Sequence, residues 1–312
     1  MPSPSYLLTR FLQILPTLLF VFVFTFVIVR LLPGDPALAL AGDQATPEQI
    51  GHIRHELGLD RPIVEQFASF VWRALGGDFG SSFMMRTSVS SLLAERLPVT
   101  GLLTLMAAAM ALFLAIPAAI ISAIRRNRLS DQIIRAVFQI GLSMPAFYLG
   151  LLLLTFLGAR SKLFPVGGYG ETMTEHLYHL FLPALTLALS LAAVLMRSLR
   201  ASMIEVMEAE YVVFARSKGL RAHSVIFNHI LRNAVISTVV IFGPTIGILL
   251  GGAVVVEVVF AVPGMGRLMI DAIYSRDYPV IQGVALFISL FVMLVFLATD
   301  IAVAVLDPRA SK

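Results

Sequence analysis

Two histidine pairs, His52 with His55 and His176 with His179, stand at i,i+3 spacing. On a helix that spacing puts both imidazoles on one face, as a two-ligand metal half-site requires. No carboxylate cluster accompanies either pair, and helical histidine pairs arise easily by chance, so neither is assigned a metal. The chain has no cysteine, which removes disulfides, thiolate metal sites and cysteine nucleophiles. Neither the phosphate-loop pattern G-x-x-x-x-G-K-[ST] nor G-x-S-x-G nor H-E-x-x-H occurs. No catalytic residue and no nucleotide site therefore follow from the motifs. What remains chemically conspicuous is Arg30, Glu257 and Asp300, ionisable groups in or beside long apolar stretches. Charge in hydrocarbon is costly, so such residues are functional candidates by default. Arg30 and Glu257 fall near the outer ends of their stretches, where a long side chain reaches water easily, and Asp300 lies toward the inner end of the last one. Interfacial or helix-packing roles come first for these three, and pathway or gating roles second.

The elements that carry these residues are set by an unusual composition. Of 312 residues 58% are hydrophobic and 13% charged, against about 45–50% and about 25% for soluble domains. Six long runs carry no Asp, Glu, Lys or Arg: 11–29, 97–124, 136–159, 177–196, 233–256 and 278–299. A bilayer core about 30 Å thick needs about 20 helical residues, so each run is long enough to span. An all-α integral membrane protein with six transmembrane helices is expected, since only helices and closed barrels satisfy their own backbone in lipid. Barrel strands alternate in polarity, whereas Leu151 to Leu154 and Phe20 to Phe24 are apolar on every face. The first run follows Arg10 and precedes a cleavage-like Ala39-Leu40-Ala41. It exceeds the about 7–15 residues of a signal-peptide core and is expected to stay as an uncleaved anchor.

Short cytoplasmic loops carry the excess of Arg and Lys. With the N-terminus inside, the cytoplasmic segments hold 13 basic residues, and the outer ones hold 9 basic against 12 acidic. Both termini are thus expected in the cytoplasm, and the net charge of +4 reads as topology rather than as a nucleic-acid footprint, which needs clustering on a water-facing surface. Pro16, Pro117, Pro145, Pro183 and Pro244 lie inside these runs. Each removes a backbone donor and tends to kink its helix; proline is also simply commoner in membrane helices.

The expected division of the chain is a cytoplasmic N-terminus at 1–10, a first span at 11–32, an outer helical loop at 33–96, a five-helix membrane domain at 97–309 and a cytoplasmic tail at 310–312. Two connecting segments are longer than a connector needs. In the outer loop Thr46-Pro47-Glu48-Gln49 combines an N-cap, a proline at the first helical position and a capping-box partner. Ile50, Ile53 and Leu57 follow on one face, with Gly58 as a stop. A second helix from about Pro62 to Leu75 presents Ile63, Phe67, Phe70 and Trp72 and ends at Gly76-Gly77. These apolar faces are expected to cover the membrane domain's outer mouth, to meet a partner there, or to pack on each other as a cap. The inner segment 197–232 continues the fourth span through Leu199, Met203, Val206, Glu210 and Phe214, breaks at Gly219, and resumes through Val225, Ile226, His229 and Ile230. Apolar and basic residues mixed on a short helix suit a groove on another protein or, more simply, a solvated topology-setting loop.

The stretch Glu210-Tyr211-Val212-Val213-Phe214-Ala215-Arg216-Ser217-Lys218-Gly219-Leu220, with Ile226-Phe227-Asn228-His229-Ile230-Leu231-Arg232-Asn233-Ala234, resembles the EAA-type coupling loop of ABC importer permeases. More narrowly the chain resembles the first permease subunit of the dipeptide, oligopeptide and nickel importer family. The resemblance covers nearly its whole length: Leu32-Pro33-Gly34-Asp35-Pro36, Glu56-Leu57-Gly58-Leu59-Asp60 with Pro62, Gly77-Asp78-Phe79-Gly80 with Ser82, Gly251-Gly252 with Glu257 and Phe260, Pro263-Gly264-Met265-Gly266, Arg276-Asp277-Tyr278-Pro279 and Asp307-Pro308-Arg309. Each is weak alone; their order is specific. The chain departs from the general pattern at Val213-Phe214-Ala215, where Glu-Ala-Ala is usual, at Arg221 in place of a capping serine, and at Leu231-Arg232 in place of Leu-Pro.

The resemblance implies the type I importer permease fold and half of a translocation pathway for peptides or similar small solutes, in a bacterial inner membrane. It implies a second related permease, two cytoplasmic ATPases that hold ATP and Mg, an extracytoplasmic solute-binding protein, and no cofactor or nucleic acid on this chain. The coupling residues so implied are Glu210, Tyr211, Ala215, Arg216, Lys218, Gly219, Leu220, His229, Leu231, Arg232 and Asn233. An ion-coupled secondary transporter is the alternative, but such proteins need mid-span coupling groups and inverted repeats, and neither is evident. A membrane-embedded enzyme ranks third, because no nucleophile, base and metal constellation is visible.

Overall fold

Proline and glycine mark most of the boundaries at which the apolar runs become separate helices. In the computed structural model, which describes residues 4–31, 36–41, 45–56 and 58–306, every named element is helical. The helices are α1 (Pro4–Leu31), α2 (Pro36–Ala41), α3 (Pro47–Glu56), α4 (Ile63–Leu75), α5 (Val89–Ile124), α6 (Leu129–Ser143), α7 (Ala146–Leu153), α8 (Met173–Met207), α9 (Glu210–Ser217), α10 (Ala222–Ser224), α11 (Arg232–Val259), α12 (Met265–Ser275) and α13 (Tyr278–Leu306). Two π-helical stretches, Leu154–Arg160 and Val225–Leu231, continue α7 and lead into α11.

Five of the six uncharged runs fall within single helices, and the third, 136–159, is interrupted at Met144 and Pro145. Among the described residues four helices are long and apolar enough to cross a membrane: Val89–Ile124, Met173–Met207, Ala222–Val259 and Tyr278–Leu306. The third run is bent by 105° between Leu129–Ser143 and Ala146–Arg160. The cause is local: Pro145 forces Met144 out of the helical region, to φ −86° and ψ 131°. Pro16, Pro183 and Pro244, by contrast, lie inside continuous helices. Leu12–Ile28 is a shorter apolar stretch within α1.

The helix signals read between Thr46 and Gly77 are realised. Thr46 and Gln49 form the expected capping box, with the Gln49 N–H donating to Thr46 Oγ1 at 3.4 Å and the Thr46 N–H to Gln49 Oε1 at 3.0 Å. Gly58 takes φ +64°, and the Leu59 N–H closes back on the Arg54 carbonyl at 2.9 Å, the left-handed stop that glycine permits. Leu57 lies outside the described residues. In α4, Phe67 and Phe70 pack on Phe22 and Phe26 of α1, at ring separations from 5.1 to 5.9 Å.

The chain forms two compact units. One comprises Phe11–Gly101 and Pro263–Met293. Its core joins Val89, Leu92 and Leu93 at the start of α5 to Met265, Leu268 and Ala272 of α12 and to Tyr278, Ile281 and Val284 of α13. The Met265 N–H donates to Thr100 Oγ1 at 2.8 Å, and Arg96 donates to the Pro263 carbonyl at 3.3 Å. The buried Asp277 carboxylate accepts from the Ser82 hydroxyl and from the N–H groups of Phe83 at 3.1 Å and Met84 at 3.3 Å. Arg276, just before it, sits at φ +56°, a conformation costing a non-glycine residue about 1–2 kcal/mol that this clamp holds in place.

The other unit comprises Met1–Arg10, Leu102–Val262 and Leu294–Lys312. Here α8 is the central helix, packing on α6, α7 and α11 and burying Leu180, Leu187, Leu191, Leu195, Leu199 and Met203. Gly150 of α7 lets the Phe260 ring approach so closely that an added Cβ would meet it at 3.1 Å.

Candidate functional site: the segment between α8 and α11

The segment between α8 and α11 is built by three interruptions. The first was not foreseen: α8 does not run through to Phe214 but stops at Met207, and Ala209 is extended at ψ 141° before α9 starts at Glu210. The Arg126 Nη1 to Glu208 Oε1 ion pair at 2.6 Å fastens this break to the turn after α5. The second is at Gly219, φ +74°. Its N–H donates to the Arg216 carbonyl at 2.9 Å and that of Leu220 to the Ala215 carbonyl at 3.4 Å, the paired closure of a left-handed C-terminal cap. The third is the start of α10, where Arg221 holds the N-cap position with no side-chain cap.

After α10 the π-helical register takes over. Val225 and Ile230, five residues apart, are both fully buried, because a π turn brings i and i+5 together. A sequence reading at 3.6 residues per turn pairs Val225 with His229 instead; His229 is half-buried. Asn233 donates from Nδ2 to the His229 carbonyl at 2.6 Å, recapturing an acceptor near the change of register.

Two faces result. Val212, Ala215, Val225, Ile230 and Ala234 are buried and seat the segment on the unit's own helices. Tyr211, Val213, Phe214, Leu220 and Phe227 are 43–61% exposed, an apolar surface that water alone does not favour. It is studded with cations: Lys218 Nζ lies 4.5 Å above the Phe214 ring centroid, and Arg216, Arg221 and Arg232 are exposed. The His223 and Phe227 rings lie 4.4 Å apart. Of the residues expected to couple, Tyr211, Arg216, Lys218, Gly219 and Leu220 lie exposed around α9. Glu210, Arg232 and Asn233 are exposed at helix starts, Leu231 is half-buried, and Ala215 is an inward anchor. Val213, Phe214 and Phe227 share this exposed face without being among the residues expected to couple; their signal was bulk apolar character within a charged, glycine-broken segment.

The other residues singled out do not converge on this face. Arg30 donates from Nη2 to Gln66 Oε1 at 2.5 Å and from Nη1 to the Phe26 carbonyl at 3.1 Å, with its guanidinium 3.3 Å from the Phe26 ring centroid. It is thus tied to α4. Glu257 is fully buried in α11 and Asp300 half-buried in α13. His55 bonds Asp60 at 2.6 Å. His176 and His179 meet the carbonyls of Tyr169 and Gly167, both at 2.9 Å, so this pair pins the loop before α8. Glu175 instead completes a capping box with Thr172.

Residues 115–312 match the family described as binding-protein-dependent transport system inner membrane component, and residues 4–104 match its N-terminal companion. A putative peptide transport system permease of Brucella suis is 39% identical over 306 residues, covering 97% of this chain and 98% of that one. The glutathione transport system permease of Escherichia coli K12 is 40% identical over 304 residues, covering 97% and 98%. Among solved structures, an inward-facing MetNI methionine ABC transporter superposes with a TM-score of 0.59 at 16% identity, over 69% of this chain and 96% of that one. The chain belongs to the binding-protein-dependent transport system inner membrane component family. It is a permease subunit of an ATP-binding-cassette importer, a multi-pass membrane protein and not an enzyme, and the ion-coupled alternative falls away.

Proposed function

We propose that this permease carries half of the translocation pathway for peptides or peptide-like solutes, glutathione-type conjugates among them, and that segment 197–232 is its coupling element. The observation that carries the reading is the two-faced geometry of α9 to α11, anchored inward by Val212, Val225 and Ile230 and presenting Tyr211, Phe214, Leu220 and Phe227 outward. An apolar face of this kind fits a groove on a partner as an amphipathic helix does. The partner is a cytoplasmic ATPase, one of two that hold ATP and Mg, while a second related permease completes the pathway. Residues 33–96 form the outer segment that meets a solute-binding protein, and 97–309 the membrane domain. Both termini are cytoplasmic by the distribution of Arg and Lys, and the membrane is the bacterial inner membrane. ATP-driven closure of the ATPases would shift the coupling segment, and rigid-body movement of bent helices would convert that shift into alternating access.

The test is a Phe214→Asp, Phe227→Asp double variant together with Gly219→Arg, each in the assembled transporter. Membrane insertion is expected to persist while ATPase association and uptake are lost. Normal uptake in all of them would remove the coupling assignment.

A further inference from the structure

A cavity of about 420 Å³ lies between α6 and α8, lined by Arg135, Arg197 and Arg200 with Gln139, Phe138 and Met196 among its walls. No acidic residue lines it. Asp131, fully buried behind it, accepts from Arg200 Nη2 at 2.7 Å and Arg200 Nε at 2.9 Å, from the Asn127 N–H at 2.9 Å and from the Ser122 hydroxyl. The Arg135 guanidinium is 3.3 Å from the same carboxylate. One carboxylate thus orients two guanidiniums and neutralises one charge, and Arg197 has no ion-pair partner among the described residues. Three cations against one anion leave the cavity with an excess of two positive charges, on side chains suited to bidentate oxyanion recognition.

The surroundings narrow the anion. One step round α6 from the cavity, Leu129, Ile133, Val137 and Ile140 are 53–70% exposed in a continuous apolar stripe. A cationic cavity bordered by an apolar stripe, where span gives way to loop, matches a ligand with an anionic head and hydrocarbon tails. The geometry points to an anionic phospholipid bound here, its phosphate on Arg135 and Arg197 and its acyl chains along the α6 stripe. Basic pockets between spans at a cytoplasmic face are the setting in which such headgroups bind. The site is separate from the α9 to α11 face.

The full chain, purified in mild detergent and stripped of lipid, is titrated with phosphatidylglycerol, with phosphatidylcholine, with inorganic phosphate and with an acidic dipeptide, following thermal unfolding. Phosphatidylglycerol is expected to raise the unfolding temperature saturably, and the other three to leave it unchanged. In R135A/R197A the apparent affinity is expected to fall about thirtyfold, or about 2 kcal/mol. R125A/R128A, which removes the same charge outside the cavity, is expected to bind as the parent does, and R135K/R197K, which keeps the charge but loses the bidentate fork, to bind between the parent and R135A/R197A. Parent-like phosphatidylglycerol binding by R135A/R197A overturns the site. An equal shift with inorganic phosphate or the dipeptide, competing with the lipid, assigns the cavity to a soluble anion and overturns the lipid. ATPase association is read on the same variants; its loss only in the α9 variants keeps this outcome independent of the coupling reading.

Discussion

Gly219 shows how one residue sets the geometry of a whole segment. Nothing lies within 4 Å of a Cβ built on it, so the demand is for φ +74° and not for space. Asn tolerates the left-handed region and a β-branched residue does not. Gly219→Asn is therefore expected to keep most ATPase-coupled uptake, and Gly219→Val to lose it with insertion unchanged, as read by transport in proteoliposomes. Asp78 is a second case. Its carboxyl is held below its ordinary value of 3.8 by the Arg73 guanidinium and then by the Gly80 N–H. A depressed carboxyl stabilises the fold above its unfolded pKa and loses that contribution as pH falls through the folded one. Exchange protection of the Gly80 amide should accordingly be constant from pH 8 to pH 5 and decline only below about pH 4. A decline already at pH 6 would show the pair does not hold this turn.

At the scale of elements, Asp131 and Asp277 each tie together segments distant in sequence. Removing one partner of a buried charge pair costs about 3–5 kcal/mol, whereas replacing both by apolar residues is often neutral. Asp131→Ala is expected to lower the stability of the α5, α6 and α8 cluster by that order in equilibrium unfolding, and Asp131→Leu with Arg200→Leu to recover much of it. Asp277→Ala leaves the Ser82 hydroxyl and the Phe83 and Met84 N–H groups without their acceptor, at about 1–3 kcal/mol for each group left buried. Limited proteolysis should then cut within 77–88 while the remaining helices stay protected.

For the whole molecule the two units and their exposed apolar faces matter more than any single helix. Because the chain is an importer subunit that depends on ATP hydrolysed elsewhere, uptake at constant ATP should survive a protonophore and stop without the ATPase subunits. Helix α4 leaves Ile63, Val64, Trp72 and Leu75 66–79% exposed although Phe67 and Phe70 are packed. Fluorescence of Trp72, the sole tryptophan, should therefore be quenched readily by acrylamide in the isolated chain.

Composition and one-dimensional pattern were enough for the class of protein. Hydrocarbon solvation selects uncharged runs about 20 residues long, and capping chemistry is local, so Thr46 with Gln49, Gly58 and Gly219 were legible before any fold was known. The order of short motifs pointed to the family. Other features required three dimensions. Gly77-Asp78-Phe79-Gly80 with Ser82 and Arg276-Asp277-Tyr278-Pro279 are separate words in the sequence, yet Asp277 grips Ser82 across 195 positions. The 105° break at Pro145 could be read only as a kink, because a proline in a helix can be absorbed, as at Pro183, or can end it. The π register at Val225–Leu231 and the shared use of Asp131 by Arg135 and Arg200 follow from which faces the neighbouring helices bury. Periodicity along one strand of sequence carries no record of those neighbours.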